Sequence, residues 1–313
     1  MTARIRRLVS VGNVVIDIVA EIPAIPKRGD DVFATAGGVS PGGCFNVMVA
    51  AARQGLPTVY GGAHGTGPFG DLARAGLVAA GVGILQHPIP DADTGFDVAF
   101  VDDGGERTFV TVVGAEARLT GEMLRGTVVE DDDAVHLSGY SLLHASNRAA
   151  IVELIKRMPE SSTVLFDPGP LGAGAPADAI RAILARADWW SGNSREATAA
   201  TGHQDPMAAA TALAARTARG GVIVRTGADG CILVQPGSPP EYVAGITVEA
   251  QDTNGAGDAH AGAFLAALAA GAGPREAVGR ANACAAIAVT RAGPASAPTA
   301  AELDEILKTS RGE

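Results

Sequence analysis

Lysine is scarce in this sequence, because the 313-residue chain carries only three, at positions 27, 156 and 308. Acidic side chains outnumber basic ones by 34 to 24, which gives a formal net charge of −10. A nucleic-acid-binding surface needs basic side chains for the phosphate backbone, so this charge argues against a nucleic-acid partner. Aromatic residues make up only 4% of the chain, which also disfavours a platform for stacking single-stranded bases.

Cysteine is equally rare, with three residues that are odd in number and far apart, Cys44, Cys231 and Cys284. The sequence contains no Cys-x-x-Cys pair and no His-Glu-x-x-His spacing, so it indicates neither a disulfide framework nor a zinc site. It also lacks an apolar run of about 18 residues and the apolar core of a signal peptide. These absences predict a cytoplasmic protein with reduced thiols and no membrane partner.

Strand-like apolar runs alternate with helix-like segments along most of the chain. The strands are expected at 8–15, 58–61, 134–137, 163–166, 221–225 and 231–234. The helices are expected at 44–54, 69–80, 147–157, 177–187, 256–270, 274–291 and 299–308. Such alternation predicts an α/β fold, in which a mostly parallel sheet has helices on both faces.

Two segments, 17–36 and 94–113, keep the strand pattern without intervening helices. Within the second, strands at 97–101 and 106–110 would form a hairpin around a turn at 102–105. These segments predict a small antiparallel sheet that projects from the main body. The length alone is compatible with two domains or with one large domain that carries an insert.

Two short patterns match catalytic or cofactor motifs by letter only. Residues 38–42 read G-x-S-x-G, but the residue after Ser40 is Pro41, which has no N–H to serve as an oxyanion donor. Residues 65–70 read G-x-G-x-x-G, but they belong to the second strand–helix unit rather than the first. We therefore expect neither a hydrolase elbow nor a dinucleotide site, and interpret 65–70 as a tight turn that packs a helix on a strand.

The most informative segment is DTNGAGD at 252–258, which leads into a long apolar helix. Glycines at a helix start leave backbone N–H groups unpaired and accessible, and the helix dipole favours an anion there. A carboxylate, Asp258, follows within the first helical turn. Phosphoryl transfer needs charge stabilisation and one base near the attacking hydroxyl, and this segment offers both.

This segment resembles the D-T-x-G-A-G-D signature of the ribokinase (PfkB) family of carbohydrate kinases. Three further motifs resemble family signatures in the family's order: GG…GGCFNV at 37–47, NSRE at 193–196 and RTGADG at 225–230. The resemblance extends from about residue 9 to 298. It implies a single three-layer α/β/α domain over 1–313 with a mostly parallel central sheet, in which about 17–36 and 94–113 form a β-sheet lid.

The resemblance also implies a role for each matching residue. Asp258 would be the catalytic base, and the amides of Gly255, Ala256 and Gly257 would form the anion hole for the transferred phosphoryl group. The substrate-binding residues would be Asp17, Gly42, Gly43, Asn46 and Asp258, with Arg107 of the lid as the residue to test for an anionic substrate. The residues that bind ATP would be Asn193, Glu196, Thr226, Gly227, Gly230, Gly255, Gly257 and Asn282.

Metal ions and a partner subunit also follow from the resemblance. Glu196 would hold Mg²⁺ through water, beside the ATP phosphates. Asp252 and Asn254, with carbonyls near Val289 and Gly293, would form a site for a monovalent cation such as K⁺. The exposed edges of the lid strands predict a homodimer.

Departures from the family pattern leave the substrate open. Gly139 and Cys44 stand where ribokinase itself carries a sugar-binding glutamate and a lysine, which argues against ribose. The alternatives are a sugar or sugar-like substrate with a primary hydroxyl, or a nucleoside that stacks on Phe33, Phe96 or Phe109. A non-catalytic ligand sensor on the same fold is a third interpretation, which the intact Asp258, Asn193 and Glu196 disfavour.

Overall fold

The computed structural model describes residues 5–311 apart from 105, 218 and 220. The strands are β1 (Arg7–Ser10), β2 (Val14–Glu21), β3 (Ala36–Gly43), β4 (Thr58–Tyr60), β5 (Gly83–Ile84), β6 (Phe96–Val101), β7 (Arg107–Val112), β8 (Asp133–Ser138), β9 (Thr163–Asp167), β10 (Trp189–Asn193), β11 (Gly221–Arg225), β12 (Gly230–Val234) and β13 (Glu241–Ala244). The helices are α1 (Cys44–Arg53), α2 (Pro68–Ala79), α3 (Gly121–Arg125), α4 (Ala145–Arg157), α5 (Ala177–Arg186), α6 (Ser194–Thr201), α7 (Pro206–Ala214), α8 (Ala256–Ala269), α9 (Pro274–Ala288) and α10 (Ala300–Arg311).

A nine-stranded sheet forms the centre of the molecule, in the order β13-β12-β11-β10-β9-β8-β1-β4-β5. Its strands pair in parallel from β5 to β11, and only β12 and β13 pair antiparallel. Neighbouring residues of one strand enter different cores: Leu8 packs with α1, α8 and α9, whereas Val9 packs with α4 and α5. This alternation confirms the predicted sheet with a helical layer on each face.

A separate four-stranded sheet, in the order β3-β2-β6-β7, accounts for the two segments without helices. Strand β2 pairs antiparallel with β3 and parallel with β6, and β6 and β7 form the predicted hairpin. Gly105, at the end of the predicted hairpin turn, lies outside the described residues. Helix α2 packs on one face of this small sheet, where Phe69 contacts Phe96 with a ring-centroid distance of 5.1 Å. The opposite face is directed towards the cleft described below.

Three predictions of secondary structure were wrong in detail. The strand expected at 8–15 ends at Ser10 and resumes at Val14 in the other sheet. Gly12 lies within this interruption and passes so close to the Cys44 side chain that a Cβ would collide with Sγ. The strand pattern at 17–36 stops at Glu21, because the loop at 22–35 contains Pro23 and Pro26. Strands β5, β10 and β13 and helices α3, α6 and α7 were not predicted, and β3 lies almost entirely beyond the predicted lid segment 17–36.

The search for a membrane-spanning helix gave a negative result. Within the described part of the chain, no helix combines the length and the apolar character needed to cross a bilayer.

Candidate active site

The cleft lies where the parallel strands of the main sheet end. Asp167, Asn193 and Arg225 are the last residues of β9, β10 and β11. Ligands of open α/β sheets bind outside these carboxyl ends, so the three polar side chains mark one edge as a binding site. The N-terminus of α8, with Asp258 in its first turn, lies at the same edge, because Gly257 faces the Arg225 guanidinium.

The side chain of Asp258 lies between the two sheets. The Asn46 side chain donates a long hydrogen bond to it, with 3.4 Å between Nδ2 and Oδ2. Burial, and after it the Asp167 carboxylate, raises the pKa of Asp258 to about 7, while Asn46 and Arg225 oppose the increase. A carboxyl group with this pKa can accept a proton near neutral pH, so its position and chemistry suit a general base.

The N-terminus of α8 has open amides, as an anion hole requires. Gly255 adopts a left-handed conformation with φ of 73°, and a Cβ on it would collide with the Pro294 carbonyl, so glycine is required there. Among the described residues no side chain caps this helix, and the Ala256 N–H reaches the Thr253 carbonyl only at 3.4 Å. The amides of Gly255, Ala256 and Gly257 are therefore accessible to an anion, although their role stays a prediction.

A cavity of about 390 Å³ extends from this helix N-terminus between β11, β12 and α9. Of the residues predicted to bind ATP, it is lined by Asn193, Gly227, Gly230, Gly257 and Asn282. Thr226, Glu196 and Gly255 lie beside the cavity but are not part of its lining. Thr226 instead closes the turn after β11, where its N–H and hydroxyl both donate to the Gly230 carbonyl at 2.8 and 2.9 Å.

His260 is a cavity residue that the sequence analysis missed. A hydrogen-bonded chain runs from its Nε2 to Cys231 Sγ at 3.3 Å and from that thiol to Asn282 Oδ1 at 2.9 Å. The Asn282 amide then donates to the carbonyls of Val243 and Ala244. Because the Cys231 thiol donates to Asn282, it accepts from His260, so Nε2 is the protonated nitrogen. The buried Nδ1 is then an acceptor that has no partner among the described residues. In the sequence, the position of His260 two residues after Asp258 was the one signal that could have identified it.

Asn193 and Glu196 hold each other in a capping box at the start of α6. The Glu196 carboxylate accepts from the Asn193 N–H at 2.7 Å, and the Asn193 side chain accepts from the Glu196 N–H at 2.9 Å. Burial and the neighbouring Asp167 carboxylate raise the pKa of Glu196, and Arg225 opposes the increase. The excess of buried negative charge would be relieved by a cation near Glu196 and Asp167.

Arg225 is the cationic centre of this side of the cleft, and the sequence analysis did not assign it. Its guanidinium donates to Ser191 Oγ at 2.9 Å and pairs with Asp167 at 3.5 Å and Glu196 at 3.7 Å. A Cβ built on Gly257 would lie 3.1 Å from the same group, so the guanidinium packs against the open end of α8. Arg225 therefore adds a positive charge to the amides that face the cavity.

The residues predicted to bind the sugar form the other half of the cleft. Asp17 is buried on β2, and burial, followed by the Asp97 carboxylate, raises its pKa to about 7. Gly42 on β3 lies so close that a Cβ would collide with the Asp17 carboxylate. Gly43 adopts a left-handed conformation with φ of 61°, and Asn46 opens α1 beside Asp258. Asp17, Gly42, Asn46 and Asp258 thus surround one space.

Asp252 contacts the residues predicted to form the cation site with it, and it also contacts an arginine of the small sheet. Its carboxylate accepts from the N–H groups of Asn254 at 2.8 Å and Gly293 at 3.1 Å, while the Asp252 N–H donates to the Val289 carbonyl at 3.0 Å. The additional partner is Arg107 of β7, whose guanidinium forms an ion pair with Asp252. Arg107 therefore reaches across the cleft to the main body rather than remaining free for a substrate anion.

The remaining motifs have structural explanations. Ser40 lies within β3 rather than at a strand–helix turn, so it does not occupy a nucleophile elbow. The helix that begins after Gly67 has its first amides bound to the Asp93 carboxylate, which accepts from Phe69 at 3.2 Å and Gly70 at 2.7 Å. That carboxylate takes the place a pyrophosphate would need. Among the described residues, no group of three or more His, Cys, Asp or Glu side chains is arranged to hold a metal ion by itself.

Comparisons with known proteins identify the family. The model of the pfkB family carbohydrate kinases matches residues 5–300. An uncharacterized sugar kinase, YegV of Escherichia coli, is 30% identical over 94% of this chain and 91% of its own. An ATP-dependent ribose-1-phosphate kinase of Halopiger xanaduensis is 32% identical over 94% of this chain and 95% of its own.

A solved structure agrees as well. The crystal structure of a putative ribokinase II from E. coli in complex with ATP and Mg²⁺ is 25% identical, with a TM-score of 0.81 over 97% of this chain and 100% of that one. The family match, the two relatives and the shared fold all extend over nearly the whole chain. The protein belongs to the pfkB family of carbohydrate kinases.

Proposed function

We propose that the protein is an ATP-dependent kinase that phosphorylates a primary hydroxyl of a sugar or sugar-like compound. The observation that carries this proposal is the position of Asp258 between the open amides of α8 and the polar space around Asp17 and Asn46. The simplest test is an ATP-consumption assay over pentoses, hexoses, keto-acids and nucleosides. Turnover with a sugar would support the proposal, and consumption of ATP with none of them would favour a non-catalytic sensor.

The reaction follows from the two halves of the cleft. In this proposal ATP occupies the 390 Å³ cavity, with its γ-phosphoryl group at the amides of Gly255, Ala256 and Gly257. A substrate hydroxyl next to Asp258 loses its proton to that carboxylate as its oxygen bonds to the γ-phosphorus. The bond between the γ-phosphorus and the β–γ bridging oxygen breaks, and ADP leaves. Arg225 and the amides stabilise the charge on the transferred group.

Mg²⁺ suits the acidic side chains at the phosphate end of the cavity. Asp167 and Glu196 are carboxylates, the ligand type that Mg²⁺ prefers, and Mg²⁺ commonly retains water and binds the phosphates of its nucleotide. The raised pKa of Glu196 is consistent with a carboxylate that a divalent cation would stabilise in its ionised form. When bound, the ion supplies charge neutralisation for ATP, while Arg225 orients the two carboxylates.

The pH dependence should reflect Asp258. Its pKa is raised to about 7, so the carboxylate is ionised above that pH and loses its ability to accept a proton as the pH falls through 7. We expect kcat/KM to decrease at least about tenfold for each pH unit below about 6, since Asp17, whose pKa is also raised to about 7, loses its charge over the same range, and to level off on the alkaline side. Initial rates measured in buffers of constant ionic strength would test this, and a profile that stays flat through the acidic range would contradict it.

Gly42 should be needed for substrate binding because it leaves room for the Asp17 carboxylate. In Gly42→Ala the added Cβ would collide with that carboxylate and displace it by about 1 Å, which is expected to lower kcat/KM for the sugar about 10²-fold. KM for ATP should change little. Gly38→Ala in the same strand is the matched control, since a Cβ there meets nothing within 4 Å. Equal sugar kinetics for the two variants would contradict the assignment.

We propose a monovalent-cation site at Asp252 that competes with an existing ion pair. The four predicted residues, Asp252, Asn254, Val289 and Gly293, are neighbours. However, the Arg107 guanidinium already supplies a positive charge to Asp252. Binding of K⁺ therefore requires Arg107 to leave Asp252, and we expect K⁺ to stimulate Arg107→Gln more strongly than the wild type.

The small sheet is proposed to act as the lid and as the contact of a homodimer in a single-domain, cytoplasmic enzyme. A lid excludes water, which would otherwise compete with the sugar for the phosphoryl group. Its edge strand β7 exposes about half of Val110 and nearly as much of Val112. Replacing both valines by glutamate should convert a dimer to a monomer in sedimentation experiments, and an unchanged assembly would contradict this interface.

A nucleoside substrate is the alternative within the same family. Phe109 is half exposed, and its pairing with Ala99 directs it to the cleft face of the small sheet, where a base could stack on it. Phe96 cannot serve, because it packs on Phe69 on the other face. The assay with sugars and nucleosides separates the two substrates directly.

A further inference from the structure

Two aspartates lie side by side on the cleft face of the small sheet. Asp17 on β2 and Asp97 on β6 are register partners in a parallel pair, so their side chains are on the same face and about 5 Å apart at Cβ. The residues before and after them, such as Phe96, face α2 on the opposite side. The Asp17–Asp97 pair therefore faces the space that Asp258 and Asn46 border. The sequence analysis assigned Asp17 but not Asp97.

This part of the cleft offers hydrogen-bond acceptors that the described residues do not satisfy. Asp97 Oδ1 and Asn46 Oδ1 are buried and have no partner among those residues. The Asp17 carboxylate is buried too, and its raised pKa reflects first burial and then the negative charge of Asp97. Buried acceptors without partners are costly, so a ligand that fits here must bring several separate donors.

Among the described residues, neither arginine at the cleft pairs with Asp17 or Asp97. Arg107 is paired with Asp252, and Arg225 is paired with Asp167 and Glu196. The carboxylates of Asp17 and Asp97 are thus left to face the substrate, beside Asp258, whose charge Arg225 offsets only in part. An anionic group near them would meet like charges in a site of low dielectric, which is strongly unfavourable.

We propose that the substrate is an uncharged polyhydroxy compound whose neighbouring hydroxyls donate to Asp17 and Asp97, and that this acid pair excludes sugar phosphates and sugar acids. This inference rests on the proposed kinase function and adds Asp97 as a specificity-determining residue. It reverses the expectation that Arg107 marks an anionic substrate. It also separates this chain from the Halopiger relative, whose name states a phosphorylated sugar as substrate.

The test uses compounds that differ mainly in charge. Ribose would be compared with ribose 1-phosphate, and glucose with gluconate, in both ATP turnover and calorimetric binding. We expect the neutral member of each pair to be preferred by about tenfold or more, because like-charge contacts cost several kcal/mol. In Asp97→Asn the preference over the anions should shrink by a similar factor. Asp103→Asn, which removes an exposed carboxylate from the turn after β6, is the matched control and should retain the preference.

The two readouts, turnover and binding, distinguish a failure of this inference from a failure of the proposed kinase function. Turnover that favours an anionic compound would overturn the inference and leave the kinase function intact. Preferred binding of the neutral compounds without turnover would support the inference and contradict the kinase function. An equal effect of Asp97→Asn on neutral and anionic compounds would also overturn the role of Asp97, and binding of none of the compounds would contradict both.

Discussion

Asp258→Asn should lower kcat by about 10²- to 10⁴-fold, the range that a positioned general base contributes. The amide has nearly the same shape as the carboxyl group but cannot take a proton from the substrate hydroxyl. The hydrogen bond between Asn46 and Asp258 uses Oδ2 as acceptor, and an asparagine oxygen can replace it. Folding and ATP affinity should therefore remain close to those of the wild type.

Single-turnover measurement of phosphoryl transfer, together with binding of a non-hydrolysable ATP analogue, would test this expectation. Asp31→Asn is a suitable control, since Asp31 lies exposed in the loop at 22–35 and loses the same charge. A loss of analogue binding as large as the loss of turnover would make Asp258 a nucleotide-binding residue instead. Near-normal turnover would remove it from the mechanism, and the attacking hydroxyl would then have to lie elsewhere in the cleft.

The central fold could be predicted because local sequence carries the relevant signals. Alternating apolar residues, such as Leu8 and Val9, belong to different helical layers, and the left-handed glycines Gly55 and Gly81 follow helices α1 and α2. The break at 11–13 could not be predicted, because the contact between Gly12 and Cys44 found there is a tertiary feature. Apolar content alone cannot distinguish one strand of eight residues from two strands in different sheets.

Prediction of the cleft had a similar limit. The motifs at 193–196, 225–230 and 252–258 follow strands or open a helix, and such positions in a parallel sheet lie at the edge where ligands bind. Asp97 gave no such signal, because its importance comes from parallel pairing with Asp17, 80 positions earlier in the chain. The ion pair between Arg107 and Asp252 joins residues 145 positions apart. Arginine and aspartate are common on surfaces, and nothing in their local sequence indicates this pairing.

The last prediction concerns Arg225, which links the phosphate end of the cleft to its acidic side chains. In Arg225→Gln the buried carboxylates of Asp167 and Glu196 lose their counter-charge, although a polar side chain can still reach Ser191. Removing one partner of a buried ion pair typically destabilises a protein by about 3–5 kcal/mol. We expect a loss of this size in the free energy of unfolding, measured in urea.

The kcat of Arg225→Gln should decrease by more than its loss of stability explains. Arg225 packs against Gly257, so its charge acts on the same phosphoryl group as the amides of α8, and loss of one such donor typically costs about 10²- to 10³-fold in kcat. Measurements at low temperature, where the folded fraction of the variant is near unity, isolate this effect. Arg280→Gln, which breaks the more exposed pair with Asp304, should leave kcat unchanged and shift stability by about 1 kcal/mol or less. If Arg225→Gln lost stability but kept its kcat when folded, Arg225 would be a structural residue, and the amides alone would have to neutralise the transferred group.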